Sequence, residues 1–264
     1  MRFTNFTLGA LALAIAAPAV AQDDTAPTPA IKITGGATLV SDYRFRGTTQ
    51  TNGDGAVQGT VNLNTAAGFY VGTWASTIDG SGKTPALAGY GDAEVDLYGG
   101  FTKTLPNGLG VDVGLLYYFY ASARESQNTD FFEPYASLTY TIGPVAAKVG
   151  AAYAWGGQKG LDGFDVRGGN DDNLYAYGEA SVGIPTTPVT LKGHLGYSKG
   201  ALGSLNAPGT NDSSYLDWSA TAEAVGGPLK VGVSYVDTDI SNRQRFAQRL
   251  GRGSTVLGYV GVSF

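Results

Sequence analysis

From residue 31 to the C-terminus the chain runs as short alternating segments joined by connections whose lengths also alternate. This pattern restricts the fold more than any other feature. Segment 189–198, VTLKGHLGYS, puts Val189, Leu191, Leu195 and Tyr197 on one parity and Thr190, Lys192, His194 and Ser198 on the other. Segment 229–235 repeats the pattern with Leu229, Val231, Val233 and Tyr235 against Lys230 and Ser234. Segment 216–224 sets Leu216, Trp218 and three alanines against Asp217, Ser219, Thr221 and Glu223. A period of two over about ten residues marks a strand with one apolar and one polar face. Twelve such segments are predicted, at 31–46, 56–65, 68–78, 92–103, 109–120, 132–142, 145–156, 173–184, 188–199, 215–225, 228–238 and 255–264. Segment 68–78 carries large apolar residues on both parities, so its facing stays open.

The connections decide the architecture. Tight ones fall at 65–68, 104–108, 143–144, 185–188 and 226–228; long ones fall at 47–55, 79–91, 121–131, 157–172, 200–214 and 239–254. Strict alternation on an even number of antiparallel strands is the layout of an outer-membrane β-barrel, with short periplasmic turns and longer external loops. The predicted fold is therefore all-β: a transmembrane, up-and-down barrel of about twelve strands spanning 31–264, with both termini periplasmic. A soluble β-sandwich would need an apolar core face and gives no reason for the alternation. The last segment, TVLGYVGVSF, ends on Phe264 with Val256, Val260 and Val262 on its parity. A terminal aromatic on an alternating strand resembles the signal read by the bacterial barrel-assembly machinery.

Residues 1–21 read as an export signal: Arg2, an apolar run from Leu8 to Ala17, and Ala19-Val20-Ala21 as the cleavage site. Residues 22–30 then form a spacer. The apolar run is too short for a spanning helix, which needs about 20 residues. No cysteine is present, which excludes disulfides, thiolate metal sites and lipid attachment after the leader. A pI near 4.8 argues against nucleic acid as a partner. Glycine, at 40 residues, is about twice as frequent as usual; it suits tight turns and a curved wall. Aromatics near segment ends suit two interfacial girdles: Tyr43, Phe45, Tyr70, Trp74, Phe101, Phe119, Phe132, Tyr153, Trp155, Tyr197, Trp218, Tyr235 and Phe264.

A charge facing lipid from a barrel wall costs roughly 2–4 kcal/mol, so the polar parity must face the lumen. That assigns Lys32, Asp42, Arg44 and Arg46 of the first segment and Asp92, Glu94 and Asp96 of the fourth to the interior. Asp112, Glu133, Lys148, Glu179, Lys192, Asp217, Glu223 and Lys230 follow, together with Tyr98, Tyr118, Tyr135, Tyr175 and Tyr177. Strand direction sends most acids and both arginines to the external mouth and most lysines to the periplasmic half. Two readings stand: an acidic vestibule that favours cations, or groups that pair across the barrel and fill a narrow bore. Selectivity candidates are Asp42, Arg44, Arg46, Asp92, Glu94, Asp96, Glu133, Lys148, Glu179, Lys192, Asp217 and Glu223.

His194 is the only histidine, and it shares parity with Lys192. A lipid-active serine site would need it on the other face, so no enzyme is expected. One histidine supplies no metal cluster, and neither cofactor nor metal is expected. Loop 157–172 holds Asp162, Asp165, Asp171 and Asp172 among glycines without the spacing of a calcium loop. Loop 239–254 carries Arg243, Arg245, Arg249 and Arg252, with Phe246 and Leu250 one helical turn apart. It reads as a lipopolysaccharide contact, a constriction or a mobile basic loop.

The stretch SDYRFRGTTQ (41–50) resembles the opening motif of the TorF family of small proteobacterial outer-membrane porins. Similarity continues through EVDLYGGF (94–101), FFEPYASLTY (131–140), NLYAYGEASVGIP (173–185), GHLGYS (193–198), YLDWSATAEA (215–224) and VGVSYVDTDIS (231–241). The resemblance implies an outer-membrane barrel and supplies no catalytic residues. The expected function is a porin-like channel for passive diffusion of small hydrophilic solutes or ions, with weak cation preference. The alternative is a non-conducting structural or adhesive barrel whose loops bind lipopolysaccharide or a partner. Expected partners are outer-membrane lipids, lipopolysaccharide, the assembly machinery and the solutes themselves.

Overall fold

The computed structural model describes residues 30–80, 87–125, 127–161, 172–203, 214–240 and 253–264. The export signal, residues 22–29, Asp162, Asp165, Asp171 and the basic loop from Arg243 to Arg252 lie outside the described residues. The strands are β1 (Ile31–Val40), β2 (Arg44–Phe45), β3 (Thr48–Thr49), β4 (Ala56–Thr65), β5 (Phe69–Thr77), β6 (Ala93–Thr104) and β7 (Gly110–Phe119). They continue as β8 (Phe131–Ile142), β9 (Val145–Ala154), β10 (Asn173–Gly183), β11 (Val189–Gly200), β12 (Ser214–Gly226), β13 (Leu229–Thr238) and β14 (Thr255–Ser263). Among the described residues, β1 and β4 to β14 close into one antiparallel barrel, each beside its predecessor, with β14 returning to β1. Strands β2 and β3 form a separate two-stranded sheet. No described helix is long and apolar enough to cross a membrane.

Eleven of the twelve expected segments are strands within two residues of their predicted ends. The first is the exception. Strand β1 stops at Val40, and the sequence from Ser41 onward leaves the wall and turns into the barrel. Asp42, Arg44 and Arg46 are therefore not residues of the first barrel strand, as parity alone had placed them.

Inside and outside follow the predicted parity. On β13, Leu229, Val231 and Val233 are at least half exposed, whereas Lys230 is 5% and Ser234 0% exposed. The apolar side chains thus face outward and the ionisable ones face the bore, the reverse of a water-soluble protein. The open facing of 68–78 resolves the same way: Phe69 and Val71 point out, while Tyr70 and Ser76 are buried. Phe119, Phe132, Tyr153, Trp155, Tyr197, Trp218 and Tyr235 form an outer aromatic band at the long-loop end. Phe69, Phe101, Tyr140 and Phe264 mark the short-turn end. Tyr43, Phe45, Tyr70 and Trp74 do not belong to either girdle, because all four pack inside.

The glycine and tyrosine excess has a common cause. Inward tyrosines Tyr70, Tyr98, Tyr135, Tyr177 and Tyr259 sit directly across from Gly100, Gly72, Gly114, Gly150 and Gly232 on neighbouring strands. A Cβ on any of these glycines would run into the facing ring. Each ring lies across a bare stretch of backbone, so large side chains line the wall without filling the bore.

The barrel closes on the chain's last residue. Gly35 and Phe264 exchange two backbone hydrogen bonds of 3.1 and 2.9 Å, and the Phe264 ring covers Gly35 so closely that a Cβ there would clash.

Candidate functional site

The segment after β1 folds into a hairpin because of its turn chemistry. Arg44 pairs with Thr49 and Phe45 with Thr48, leaving Arg46-Gly47 as the two-residue tip. Both tip residues have positive φ, 46° and 81°, as a type I′ turn requires. Glycine takes that conformation freely, but arginine adopts it at a penalty of about 1 kcal/mol, so something must hold Arg46 there. A side chain at Gly47 would also meet Thr238 and Asp217 of the wall.

The hairpin is polar yet buried, and its charges are matched. Asp42 accepts hydrogen bonds from Thr49 Oγ1 (2.5 Å), Thr51 Oγ1 (3.2 Å) and Arg44 Nε (2.5 Å). Arg44 Nη1 donates to the Gly47 and Gly253 carbonyls. At the tip, Arg46 Nη2 straddles both oxygens of Glu133 on β8, at 2.8 and 2.7 Å, and Tyr118 donates to the same carboxylate at 3.0 Å. The Arg46 guanidinium lies 4.1 Å from the centre of the Tyr175 ring, and Tyr215 donates to the Arg46 carbonyl. These contacts are what stabilise the strained tip. Tyr43 and Phe45 pack against Trp74 and Tyr118, with ring centres 5.3 and 5.9 Å apart. Above them Ile78, Leu87, Tyr90 and Tyr120 are buried in the same apolar cluster. The hairpin and this cluster together occupy the long-loop end of the bore.

Below the hairpin, polar pairs run along the wall between nearby strands. His194 Nε2 lies 2.8 Å from Tyr175 OH and 3.1 Å from Asp217 Oδ1, and its Nδ1 lies 3.3 Å from Glu179 Oε1. Lys192 bonds Glu223 at 2.7 Å, and Tyr259 donates to the other Glu223 oxygen at 2.8 Å. Tyr70 bonds Asp112 at 2.6 Å and meets Tyr135. Between these pairs the wall leaves a cavity that opens to solvent. Its lining includes Arg46, Tyr135, Lys148, Tyr177, Glu179, Lys192, His194 and Asp217.

Most of the predicted interior set is therefore present, but not as one ring. Lys148, Glu179, Lys192, Asp217 and Glu223 lie on the inner wall, with Lys148, Glu179, Lys192 and Asp217 gathered around the cavity. Asp42, Arg44 and Arg46 reach the interior on the hairpin. Glu94 and Asp96 are 2% and 4% exposed on β6 and do not belong to the cavity lining. Asp92 is a correction: it is exposed and precedes β6, in the connection where its amide bonds Ser122. Lys32 is exposed near the short-turn end, and Lys230 is buried on β13. His194 points into the lumen, away from the lipid-facing side that a lipid-hydrolysing site would use. Sequence reasoning missed the hairpin. Its signal was Gly47 directly after the predicted segment end, the residue that a tight two-residue tip requires.

The described strands thus form a closed twelve-stranded antiparallel barrel with an apolar exterior and a polar bore, the architecture of a membrane-spanning β-barrel. A family model described as "Bacterial protein of unknown function (Gcw_chp)" matches residues 24–259, and the chain belongs to that family. No curated protein matches the sequence. Among solved structures the chain is similar to the NanC porin, at 13% identity and TM-score 0.56, covering 88% of this chain and 99% of that one. It is also similar to the KdgM porin, at 8% identity and TM-score 0.54 over 88% of this chain and 98% of that one. A KdgM porin in complex with disordered oligogalacturonate gives 9% identity and the same TM-score, 0.54, covering 88% of this chain and 98% of that chain. At these identities the likeness is one of fold.

Proposed function

We propose that this chain is an outer-membrane channel, of the kind the TorF resemblance implies, for passive diffusion of small hydrophilic solutes, constricted at its long-loop end by the hairpin. The observation that carries the proposal is the lumen below the hairpin, where charged pairs run along the wall and leave the cavity between them. In this proposal both termini lie in the periplasm, the outer band meets membrane lipid and lipopolysaccharide, and no reaction is catalysed. His194 is engaged by Tyr175, Asp217 and Glu179 on the lumen side, away from the lipid. Weak cation preference is not carried into the proposal. Asp42, Glu133 and Glu223 have their charges matched by Arg44, Arg46 and Lys192, and Asp217 is hydrogen-bonded to Tyr175 and His194. Reversal potentials in a salt gradient measure the remaining preference directly.

The test is conductance of the refolded barrel in planar lipid bilayers. Discrete channel events are expected; silence at every voltage, from protein that still shows heat-modifiable migration, overturns the reading. The rival reading, a non-conducting barrel, draws on the burial of the whole hairpin and of Leu87 and Tyr90 above it. The same recording separates the two.

Phe264 is proposed as the assembly signal as well as the closing residue. Deleting it is expected to reduce assembled barrel in the outer membrane several-fold, because two seam hydrogen bonds and the cover on Gly35 go with it. Quantifying the heat-modifiable band in cell envelopes checks this, and an unchanged amount would refute it.

A further inference from the structure

We infer that the cavity beneath the hairpin is a saturable binding site for small zwitterions such as free amino acids, with Lys192 receiving the carboxylate and Glu179 the ammonium group. Among the described residues of the lining, the ionisable side chains a solute can reach are Lys192, His194 and Glu179, which are 17%, 23% and 27% exposed. The other charged groups there, Arg44, Arg46, Glu133, Lys148 and Asp217, are buried. The two reachable opposite charges are adjacent. Glu179 on β10 stands across from His194 on β11, and Lys192, two residues along β11, stands across from Ser181. Lys192 and Glu179 are therefore diagonal neighbours on one face of an antiparallel pair, about 7–8 Å apart. No ion pair joins them. Lys192 turns to Glu223 on β12 at 2.7 Å, and Glu179 Oε1 meets His194 Nδ1 at 3.3 Å. Each keeps capacity for a ligand. The ammonium carries three donors and has given one, and Glu179 Oε2 accepts no hydrogen bond among the described residues.

Such a pair discriminates by charge. A plain anion at Lys192 is attracted by the ammonium and repelled by the Glu179 carboxylate, and a plain cation at Glu179 meets the reverse. A zwitterion laid across the pair is attracted at both ends, through contacts that are both charge-assisted. His194 holds the Glu179 carboxylate by Oε1, so Oε2 is the oxygen left for the solute's ammonium group. Ser181, across from Lys192, and Ser219, across from His194, are half-buried on the same lining and offer hydroxyls that donate or accept. The site rests on the channel reading only for the route by which the solute arrives; binding itself requires no conduction.

The experiment uses three probes that share a skeleton and differ in charge: alanine, propionate and ethylamine. Each is titrated against the refolded barrel in detergent by saturation-transfer NMR, and added in planar bilayers for current block. Alanine is expected to bind saturably and to block. Propionate and ethylamine are expected to bind roughly tenfold more weakly or worse, the scale of one lost charge-assisted hydrogen bond. Glu179→Gln is expected to weaken alanine by a similar factor while strengthening propionate; Lys192→Gln is expected to weaken alanine while strengthening ethylamine. A general loosening of the wall does not produce such opposite shifts. Heat-modifiable migration confirms that each variant is folded. Glu179→Gln carries the test alone if Lys192→Gln, which strips the buried Glu223 of its partner, does not refold. A conducting barrel on which the three probes act alike overturns the site and leaves the channel standing. Saturable alanine binding by a barrel that never conducts overturns the channel and leaves the site. Alanine binding unchanged in folded Glu179→Gln overturns the assignment of the pair.

Discussion

Glu133→Gln is expected to unseat the mouth hairpin and raise single-channel conductance several-fold. The carboxylate is the counter-charge of Arg46, 1% exposed and held at 2.7 Å, and Tyr118 braces it from the neighbouring strand. Removing one partner of a buried pair leaves the other uncompensated, at about 3–5 kcal/mol. The tip already bears the left-handed backbone of Arg46, so the hairpin has a way to relieve both by leaving the bore. Two readouts check this on the reconstituted barrel: open-channel conductance, and trypsin cleavage after Arg44 and Arg46. Both are expected to rise in Glu133→Gln and to fall back toward the parent in Glu133→Asp. If conductance and protection are unchanged, the packing of Tyr43 and Phe45 holds the hairpin and the ion pair does not.

The second large effect concerns the wall. Gly150→Val is expected to destabilise the barrel by about 1–3 kcal/mol, the usual range for overpacking. The nearest atoms around a Cβ at Gly150 all belong to the Tyr177 ring. Tyr177→Ala is expected to destabilise on its own by losing its packing against the strand. The double variant is then expected to cost clearly less than the sum of the two, because the smaller residue makes room for the valine. Urea-induced unfolding in lipid vesicles supplies the cycle. Strict additivity would show that ring and glycine are neighbours without interacting energetically.

The barrel was legible in the sequence because its constraints are local and repeated. Alternation along β13 and the tight turns at Gly143 and Gly227 are visible residue by residue. The hairpin was not, because parity assumes that a strand continues. Ser41 to Arg46 keeps an alternating pattern while its backbone leaves the wall after Val40. Parity found Glu133 and Arg46 separately; it had no means to bring them together, since they are 87 residues apart and joined only through the tertiary fold. The facing of β5 was hidden for a related reason. Tyr70 and Trp74 look like girdle residues by type, and only the facing Gly100 and the hairpin give them an interior place. Asp92 shows the limit at strand ends, where one residue separates the bore from the rim.

The seating of the hairpin also depends on a complete wall. Its contacts are drawn from the whole length of the chain: Glu133 near the middle, Tyr175 and Tyr215 beyond it, Gly253 just before the last strand and Gly258 within it. The Ser41 amide bonds the Gly258 carbonyl, and the Gly258 amide bonds Ser41 Oγ, across the junction that only β14 completes. A partly built wall offers the N-terminal segment no such docking surface. The complete set of hairpin contacts therefore exists only in a closed cylinder, so a fully seated hairpin reports that the wall is whole.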